Sequence, residues 1–240
     1  MGVIFKFVVS LMAVNYVYCA ELPDVGKCKL EDSACMTPAF QKAFPLFMSG
    51  LPKQGVEELD VMNMEDIAFD LSGLQFSLKE GKLKGLKAAT VDNVKWNLQK
   101  KTLSVSFHLD ASIKGHYVAS GRILILPITG DGQMKLKLKN ILIKLVMHYE
   151  VEKDAEGKDH MIPTKYSFDF DVRDNAHFGL TNLFNGNKEL SDTMLKFLNE
   201  NWKQISTEFG RPIVDSASKK IYKNVKSFMK SVAINDIAQY

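Results

Sequence analysis

A regular apolar stripe near the C-terminus constrains this chain more than any other feature. Across residues 191–232, apolar side chains follow one another at steps of three or four, which places them on one face of an α-helix. At 1.5 Å per residue an unbroken helix of this length would run about 60 Å, roughly twice the diameter of a small domain. The rest of the chain must therefore cover a long apolar surface. The stripe consists of Met194, Leu198, Trp202, Ile205, Phe209, Ile213, Ala217, Ile221, Val225, Phe228 and Val232.

The sequence Gly210-Arg211-Pro212 interrupts this stripe near its centre. Proline has no backbone N–H to donate, and its ring clashes with the preceding helical turn. We therefore predict that the C-terminal helix bends at this point.

A change of period marks the central block, residues 66–183. There apolar and polar residues alternate, which is typical of antiparallel strands with one covered and one solvated face. Asp131-Gly132 lies between two of these runs and predicts a hairpin turn. A curved sheet packed on the C-terminal helix, an α+β fold, is the simplest architecture that covers both apolar surfaces. The alternating runs are residues 67–71, 94–98, 103–109, 123–125, 134–138, 143–151 and 166–172.

The first twenty residues have the pattern of a secretory signal peptide. A single positive charge at Lys6 precedes the apolar run 7–17, and small residues lie near Ala20. A buried first strand or helix is the alternative, but Glu21 and Pro23 break the apolar run. No later segment reaches the ~18 consecutive apolar residues of a membrane span. We predict a signal peptide over residues 1–20 and a secreted, extracellular single domain over residues 21–240, without stable membrane insertion.

The three cysteines are Cys19, Cys28 and Cys35. Removal of the signal peptide takes away Cys19 and leaves an even pair in an oxidising compartment. We therefore expect a Cys28–Cys35 disulfide, whose short loop pins the N-terminal segment locally rather than holding the whole fold. A zinc site would need two more ligands, and the five histidines lack metal-ligand spacing, so we expect no metal.

Charge and motifs argue against several other classes of function. The net charge of +3 is too small to indicate a nucleic-acid-binding protein. The lysine row Lys135, Lys137 and Lys139 is most simply a solvated sheet face, with attraction to an anionic membrane as the alternative. The sequence contains no nucleophile elbow, phosphate-binding loop or zinc-protease motif. We therefore expect neither an enzyme nor a cofactor.

Several segments resemble the insect takeout and juvenile-hormone-binding protein family. Two of them, taken together, resemble the family's C-terminal signature, and the others resemble its paired strands and a hairpin. In order, they extend over nearly all of the chain beyond residue 20. The segments are residues 115–117 (GHY), 121–124 (GRIL), 127–132 (PITGDG), 180–190 (LTNLFNGNKEL) and 197–202 (FLNENW).

The cysteines refine this resemblance. Cys28 and Cys35 stand where the family has its N-terminal disulfide. No cysteine follows Cys35, whereas the haemolymph hormone carriers of the family have a second disulfide. Residues 55–62 also lack a proline-rich pattern that is common in the family. The chain thus resembles the takeout branch more closely than the hormone carriers.

The resemblance implies a long C-terminal helix wrapped by a strongly curved antiparallel sheet, a tubular lipid-binding (TULIP-like) super-roll. It also implies an internal tunnel for an elongated apolar ligand, here a lipid or terpenoid. Family members are secreted carriers, some of them linked to feeding, circadian output or chemosensation. A juvenile hormone carrier proper and an extracellular interaction module with a closed core are the alternatives. We expect a monomer that binds a hydrophobic small molecule and no nucleic acid; the sequence identifies no receptor.

Large apolar side chains on the covered faces are the candidates to line such a tunnel. Methionine conforms to varied apolar shapes, and small-molecule sites are mostly apolar with few polar groups. Tyr117, Tyr149 and Tyr166 could supply the polar contacts, although Ser and Thr residues on the same strands are equally able. Core packing is the alternative for each aromatic residue. The candidate ligand-binding residues are Phe40, Phe44, Phe47, Trp96, Phe107, Ile123, Met134, Leu136, Met147, Tyr149, Tyr166, Phe168 and Trp202.

Overall fold

Antiparallel strands of very different lengths form one sheet in the computed structural model, which describes residues 26–240. The predicted signal peptide and Cys19 lie outside the described residues. Strands β5, β6 and β7 are 22, 28 and 22 residues long, and they form the body of the sheet. The strands are β1 (Met62–Asn63), β2 (Ile67–Leu71), β3 (Leu74–Lys84), β4 (Thr90–Asn97), β5 (Thr102–Ile123), β6 (Leu126–Lys153) and β7 (Asp159–Leu180).

Helices stand at both ends of the described chain, and those at the C-terminal end form where the apolar stripe predicts helix. Three short 3₁₀ turns, at Pro52–Gln54, Leu86–Ala88 and Phe184–Gly186, connect other elements. The α-helices are α1 (Ser33–Met48), α2 (Lys188–Glu200), α3 (Trp202–Phe209), α4 (Arg211–Ser231) and α5 (Ile234–Ile237).

Helix α4 packs against the sheet. Strand order is β2–β3–β5–β6–β7, with β1 also beside β3 and β4 beside β5. Helix α4 contacts both β2 and β7, which lie at opposite ends of this order, so it extends across the covered face of the sheet. One large antiparallel sheet with helices packed on it confirms the expected α+β architecture.

The C-terminal stripe is divided into three helices rather than forming one. The bend predicted at Gly210 is confirmed: α3 ends at Phe209, and Pro212 lies in the first turn of α4, where its missing N–H costs no hydrogen bond. The apolar spacing does not predict the second break, at Asn201. There the Asn201 side chain donates to the Phe197 carbonyl at 2.8 Å and ends α2. The stripe therefore forms three shorter helices where a single long helix with one bend was expected.

The prediction of a hairpin turn at Asp131-Gly132 is wrong. Both residues lie inside β6, paired with Val118 and Tyr117 of β5. The turn between these strands falls at residues 124–125, and Ile125 is 84% exposed there, so residues 123–125 do not form a separate strand. Gly132 serves another purpose: a Cβ atom would lie 2.5 Å from the Thr181 carbonyl oxygen, so only glycine permits this close approach.

A β-bulge joins two of the predicted strands into β6. The register between β5 and β6 shifts between Leu109 and Ala111, and Asn140 adopts a positive φ of 50°. The Asp110 carboxylate accepts a hydrogen bond from the Asn140 backbone N–H at 2.9 Å, which holds the bulge. The extra residue explains why the apolar alternation changes from even to odd positions within one strand.

The predicted disulfide between Cys28 and Cys35 is confirmed. Asp32, between the two cysteines, accepts hydrogen bonds from the Ala34 and Cys35 backbone N–H groups and caps α1. The Gln239 backbone N–H donates to the Cys28 carbonyl at 2.8 Å. The disulfide therefore fixes the start of α1 beside the C-terminal segment.

Three lysines face one another across the solvated side of the sheet. Lys114 of β5 is paired with Lys82 of β3 on one side and with Lys135 of β6 on the other. Within residues 26–240 none of the three forms an ion pair. Like charges placed directly opposite in a sheet are destabilising.

We expect Lys114→Glu to raise the free energy of unfolding by about 1 kcal/mol, because two repulsive cross-strand pairs become attractive. Urea unfolding at low salt measures this, and the gain should shrink at 1 M salt, where charges are screened. Lys100→Glu, in the exposed turn after β4, is the matched control and should change stability by less than about 0.5 kcal/mol. A loss of stability in Lys114→Glu would contradict the prediction.

Candidate functional site

Two neighbouring cavities lie between the covered face of the sheet and the helical stripe. Cavity 1, of about 80 Å³, is enclosed by β3, β5, β6 and α4. Cavity 2, of about 60 Å³, is enclosed by β6, β7, α3 and the start of α4. The two are adjacent along the helix, because four residues line both: Leu138, Ile141, Ile213 and Val214.

The lining of both cavities is almost entirely aliphatic and aromatic. In each cavity the described lining contains one polar side chain, Ser218 in cavity 1 and Ser206 in cavity 2. Each volume is below the ~300–1,000 Å³ of sites that enclose a drug-sized ligand. An elongated ligand would therefore have to displace lining side chains in order to occupy both cavities.

Side-chain anchors hold the helical wall against β7. The Asn199 amide of α2 forms two hydrogen bonds with the Phe178 backbone, at 2.8 and 3.1 Å. Lys203 of α3 forms an ion pair with Asp171 at 2.5 Å and donates to the Val172 carbonyl. Since β7 is an edge strand of the described sheet, these contacts also satisfy backbone groups that would otherwise be unpaired.

A third anchor holds α4 on the opposite side. The buried Asn224 side chain accepts a hydrogen bond from the Glu57 backbone N–H at 2.7 Å, and Lys220 forms an ion pair with Glu57 at 3.2 Å. Each of the three long C-terminal helices is thus attached to the rest of the fold by its own polar contacts.

Of the candidate ligand-binding residues, Phe107 lines cavity 1 and Leu136 lines cavity 2. Phe44 of α1 packs behind Phe107, with ring centroids 5.3 Å apart. Ile123, Met134 and Met147 are buried on the covered face, outside both linings; Phe40 and Phe47 are half-buried against the core.

The remaining candidates pack in aromatic and cationic contacts. Trp96 meets Tyr149 edge-on at 5.5 Å, and Tyr166 lies 4.5 Å from the Tyr222 ring. The Phe168 ring faces the Arg211 guanidinium at 4.9 Å, and Trp202 faces the Lys203 ammonium at 5.6 Å. None of these candidates lines cavity 1 or 2, so their role in binding stays a prediction.

Of the three tyrosines suggested as polar contacts, Tyr117 and Tyr149 are deeply buried, whereas Tyr166 is half-buried. Tyr117 is fully buried, and its hydroxyl donates to the Thr181 carbonyl at 2.8 Å. Burial raises the pKa of Tyr117 to about 12, and the nearby Asp131 carboxylate adds to the effect. Burial likewise raises the pKa of Tyr149 to about 12. Both phenols therefore stay protonated at neutral pH as parts of the core.

Sequence reasoning placed many of the actual cavity residues on the correct faces without selecting them. About half of the lining residues are apolar residues of the helical stripe or of the alternating runs, and their periodicity was the signal that could have pointed to them. The others, among them Ser206, Val214 and Ser218, lie outside both patterns. The lining residues outside the candidate list are Leu83, Leu86, Leu109, Ala111, Ile113, Leu138, Ile141, Ile143, Leu145, Phe170, Val172, Phe178, Ile205, Ser206, Phe209, Gly210, Ile213, Val214, Ala217, Ser218 and Ile221.

The described residues contain no cluster of metal ligands and no membrane-spanning helix. Across residues 26–240, histidine, cysteine and carboxylate side chains form no group of three that could hold a metal ion. No helix in the same range is long and apolar enough to cross a membrane. Neither cavity lining, as described, contains a titratable side chain, so neither offers a nucleophile paired with a base.

Comparisons with known proteins agree on one family. The model described as haemolymph juvenile hormone binding protein (JHBP) matches residues 7–239. The crystal structure of Epiphyas postvittana Takeout 1 is 70% identical, with a TM-score of 0.88, and the match covers 89% of this chain and 99% of that one. The circadian clock-controlled protein daywake of Drosophila melanogaster is 27% identical over 222 residues, which are 88% of this chain and 85% of that protein. Daywake of Drosophila yakuba is 26% identical over 211 residues, which are 83% of this chain and 80% of that protein.

Proposed function

Because the chain belongs to the haemolymph juvenile hormone binding protein family, we propose that it is a secreted, non-enzymatic carrier of an elongated hydrophobic small molecule. The ligand lies between the helical stripe and the curved sheet. The signal-like pattern of residues 1–20 and the family's description support secretion.

The adjacency of the two apolar cavities is the observation that carries this proposal. Their helical lining runs from Ile205 to Ile221, about 24 Å of helix at 1.5 Å per residue. A lipid or terpenoid chain has this length and would bury its surface at about 25 cal/mol per Å². A compact ligand would occupy only one cavity and leave the other empty.

The hypothesis is tested by producing the protein in secreting insect cells and analysing it by native mass spectrometry, followed by lipid extraction. We expect one retained hydrophobic molecule per chain, or stoichiometric uptake of a fluorescent long-chain probe after delipidation. A well-folded protein that neither retains nor takes up an apolar molecule would overturn the proposal.

Two alternatives have specific support. The family's description favours juvenile hormone itself as the ligand, and displacement of the bound probe by this hormone would identify it. The small cavity volumes favour an extracellular interaction module with a closed core. Failure of every hydrophobic probe, together with capture of an extracellular protein partner, would favour the module.

A further inference from the structure

The polar groups of the cavities are confined to two serine hydroxyls. Ser206 of α3 lines cavity 2 and Ser218 of α4 lines cavity 1, and each residue is 8% exposed. In the described linings every other side chain is aliphatic, aromatic or that of glycine. An apolar pocket with very few polar groups derives its specificity from those groups.

These hydroxyls lack the partners that helical serines and threonines usually find. Ser191, Thr193 and Thr207 donate to the carbonyl four residues earlier, at 2.6, 2.8 and 2.9 Å. By contrast, the Ser206 hydroxyl is buried without a hydrogen-bond partner. The Ser218 hydroxyl also forms no hydrogen bond within residues 26–240. A buried, unpaired hydroxyl is destabilising, so Ser206 calls for a partner from outside the chain, and the unpaired hydroxyl of Ser218 can accept one as well.

We propose that Ser206 and Ser218 are the polar contacts that orient the ligand, and that the ligand is a neutral lipophile carrying hydroxyl, carbonyl or ester oxygens. This inference rests on the proposed carrier function. A serine hydroxyl donates to a carbonyl or ester oxygen and accepts from an alcohol, so either group satisfies it.

The lining also decides against an ionised ligand. No cationic side chain lines either cavity as described. A carboxylate held there would lose its hydration without gaining a counter-charge, which is far more costly than burial of an ester or alcohol. The site therefore selects esters, ketones and alcohols over free fatty acids.

The two serines also set a spacing. They are separated by about 18 Å of helix at 1.5 Å per residue, with the break at Gly210 between them. A ligand with an oxygen near each end of a long apolar chain satisfies both hydroxyls at once. A ligand with one oxygen satisfies one serine and has a single preferred direction.

The test compares four probes of equal chain length: octadecane, octadecan-1-ol, methyl octadecanoate and octadecanoate. The affinity of each is measured by its displacement of a bound fluorescent reporter. The proteins compared are the wild type, Ser206→Ala, Ser218→Ala and the double variant. We expect the alcohol and ester to bind about tenfold more tightly than the alkane and than the carboxylate. The double variant should lose the preference over the alkane while its affinity for the alkane stays unchanged, and it should still reject the carboxylate, because the lining gains no cationic side chain.

Ser216→Ala is the matched control. Its hydroxyl is also buried without a partner on α4, but Ser216 lines neither cavity. Its probe affinities should equal those of the wild type. As a check on folding, Ser206→Ala should raise the melting temperature of the ligand-free protein, because it removes an unpaired buried hydroxyl.

The outcomes separate this inference from the carrier function. If no probe binds, the carrier function fails. If all four probes bind equally well, the carrier function stands and the role of the serines is overturned. The same conclusion follows if the double substitution weakens the binding of the alkane as much as that of the ester.

Discussion

Val214→Phe is expected to weaken the binding of an elongated ligand by about a hundredfold while the protein stays folded. Val214 is 9% exposed and lines both cavities, so an aromatic ring at this position would fill the space through which an elongated ligand must extend from one cavity to the other. A ligand restricted to one cavity would lose about 120 Å² of buried surface, roughly 3 kcal/mol or about a hundredfold in affinity. The adjoining cavities leave space for the ring, which limits the cost of overpacking.

Displacement titrations with alcohols of graded chain length measure this effect. Short alcohols that fit one cavity should bind Val214→Phe nearly as well as the wild type, whereas long alcohols should not. Val118→Phe introduces the same ring at a position on β5 that is 41% exposed. It should leave the affinities for short and for long alcohols unchanged. Equal losses for short and long alcohols in Val214→Phe would show that the cavities do not form one site.

The protein is expected to lose stability steeply between pH 10 and pH 12. Burial raises the pKa of Tyr117 and of Tyr149 from 10.0 to about 12 in the folded state. An unfolded tyrosine ionises near pH 10, so above this pH unfolding releases protons and becomes more favourable. The stability is therefore complete below pH 10 and falls as the pH rises through 12, by roughly 3 kcal/mol for each tyrosine.

Urea unfolding at pH 8, 10 and 11 measures this loss. Tyr117→Phe removes the hydrogen bond to Thr181 and should cost about 1 kcal/mol at pH 8, but its stability should fall less above pH 10. Val105→Ala truncates a buried side chain that cannot titrate, and it should keep the wild-type pH dependence. If the free energy of unfolding falls equally steeply above pH 10 in both variants, Tyr117 is ruled out as a source of the loss.

Periodicity predicted the layers of this fold because it reports the direction of side chains. The C-terminal stripe and the alternating strands therefore identified the two surfaces that pack together. Local turn chemistry was less informative. Asp131-Gly132 has the composition of a hairpin turn, but Gly132 is needed for contact with Thr181, a residue far away in the sequence. Such a long-range requirement cannot be recognised from neighbouring residues alone.

The candidate site was harder to predict for a related reason. Large residues such as Trp96, Met147 and Phe168 were natural candidates for a ligand pocket, but large side chains fill the space around them. The cavities open instead where smaller side chains such as Val214 and Ala217 face the sheet. Cavity position depends on what lies opposite across the helix–sheet interface, and this information is absent from any single segment.

The division of the C-terminal stripe into three helices gives the cavities a wall made of separate segments. A single rigid rod would have to shift as a whole whenever a ligand widened the interior. Here α2, α3 and α4 are joined at Asn201 and Gly210, and each is tied to the surrounding fold separately. The helical lining of cavity 2 belongs mostly to α3 and that of cavity 1 to α4, so each cavity has a wall whose position is held separately.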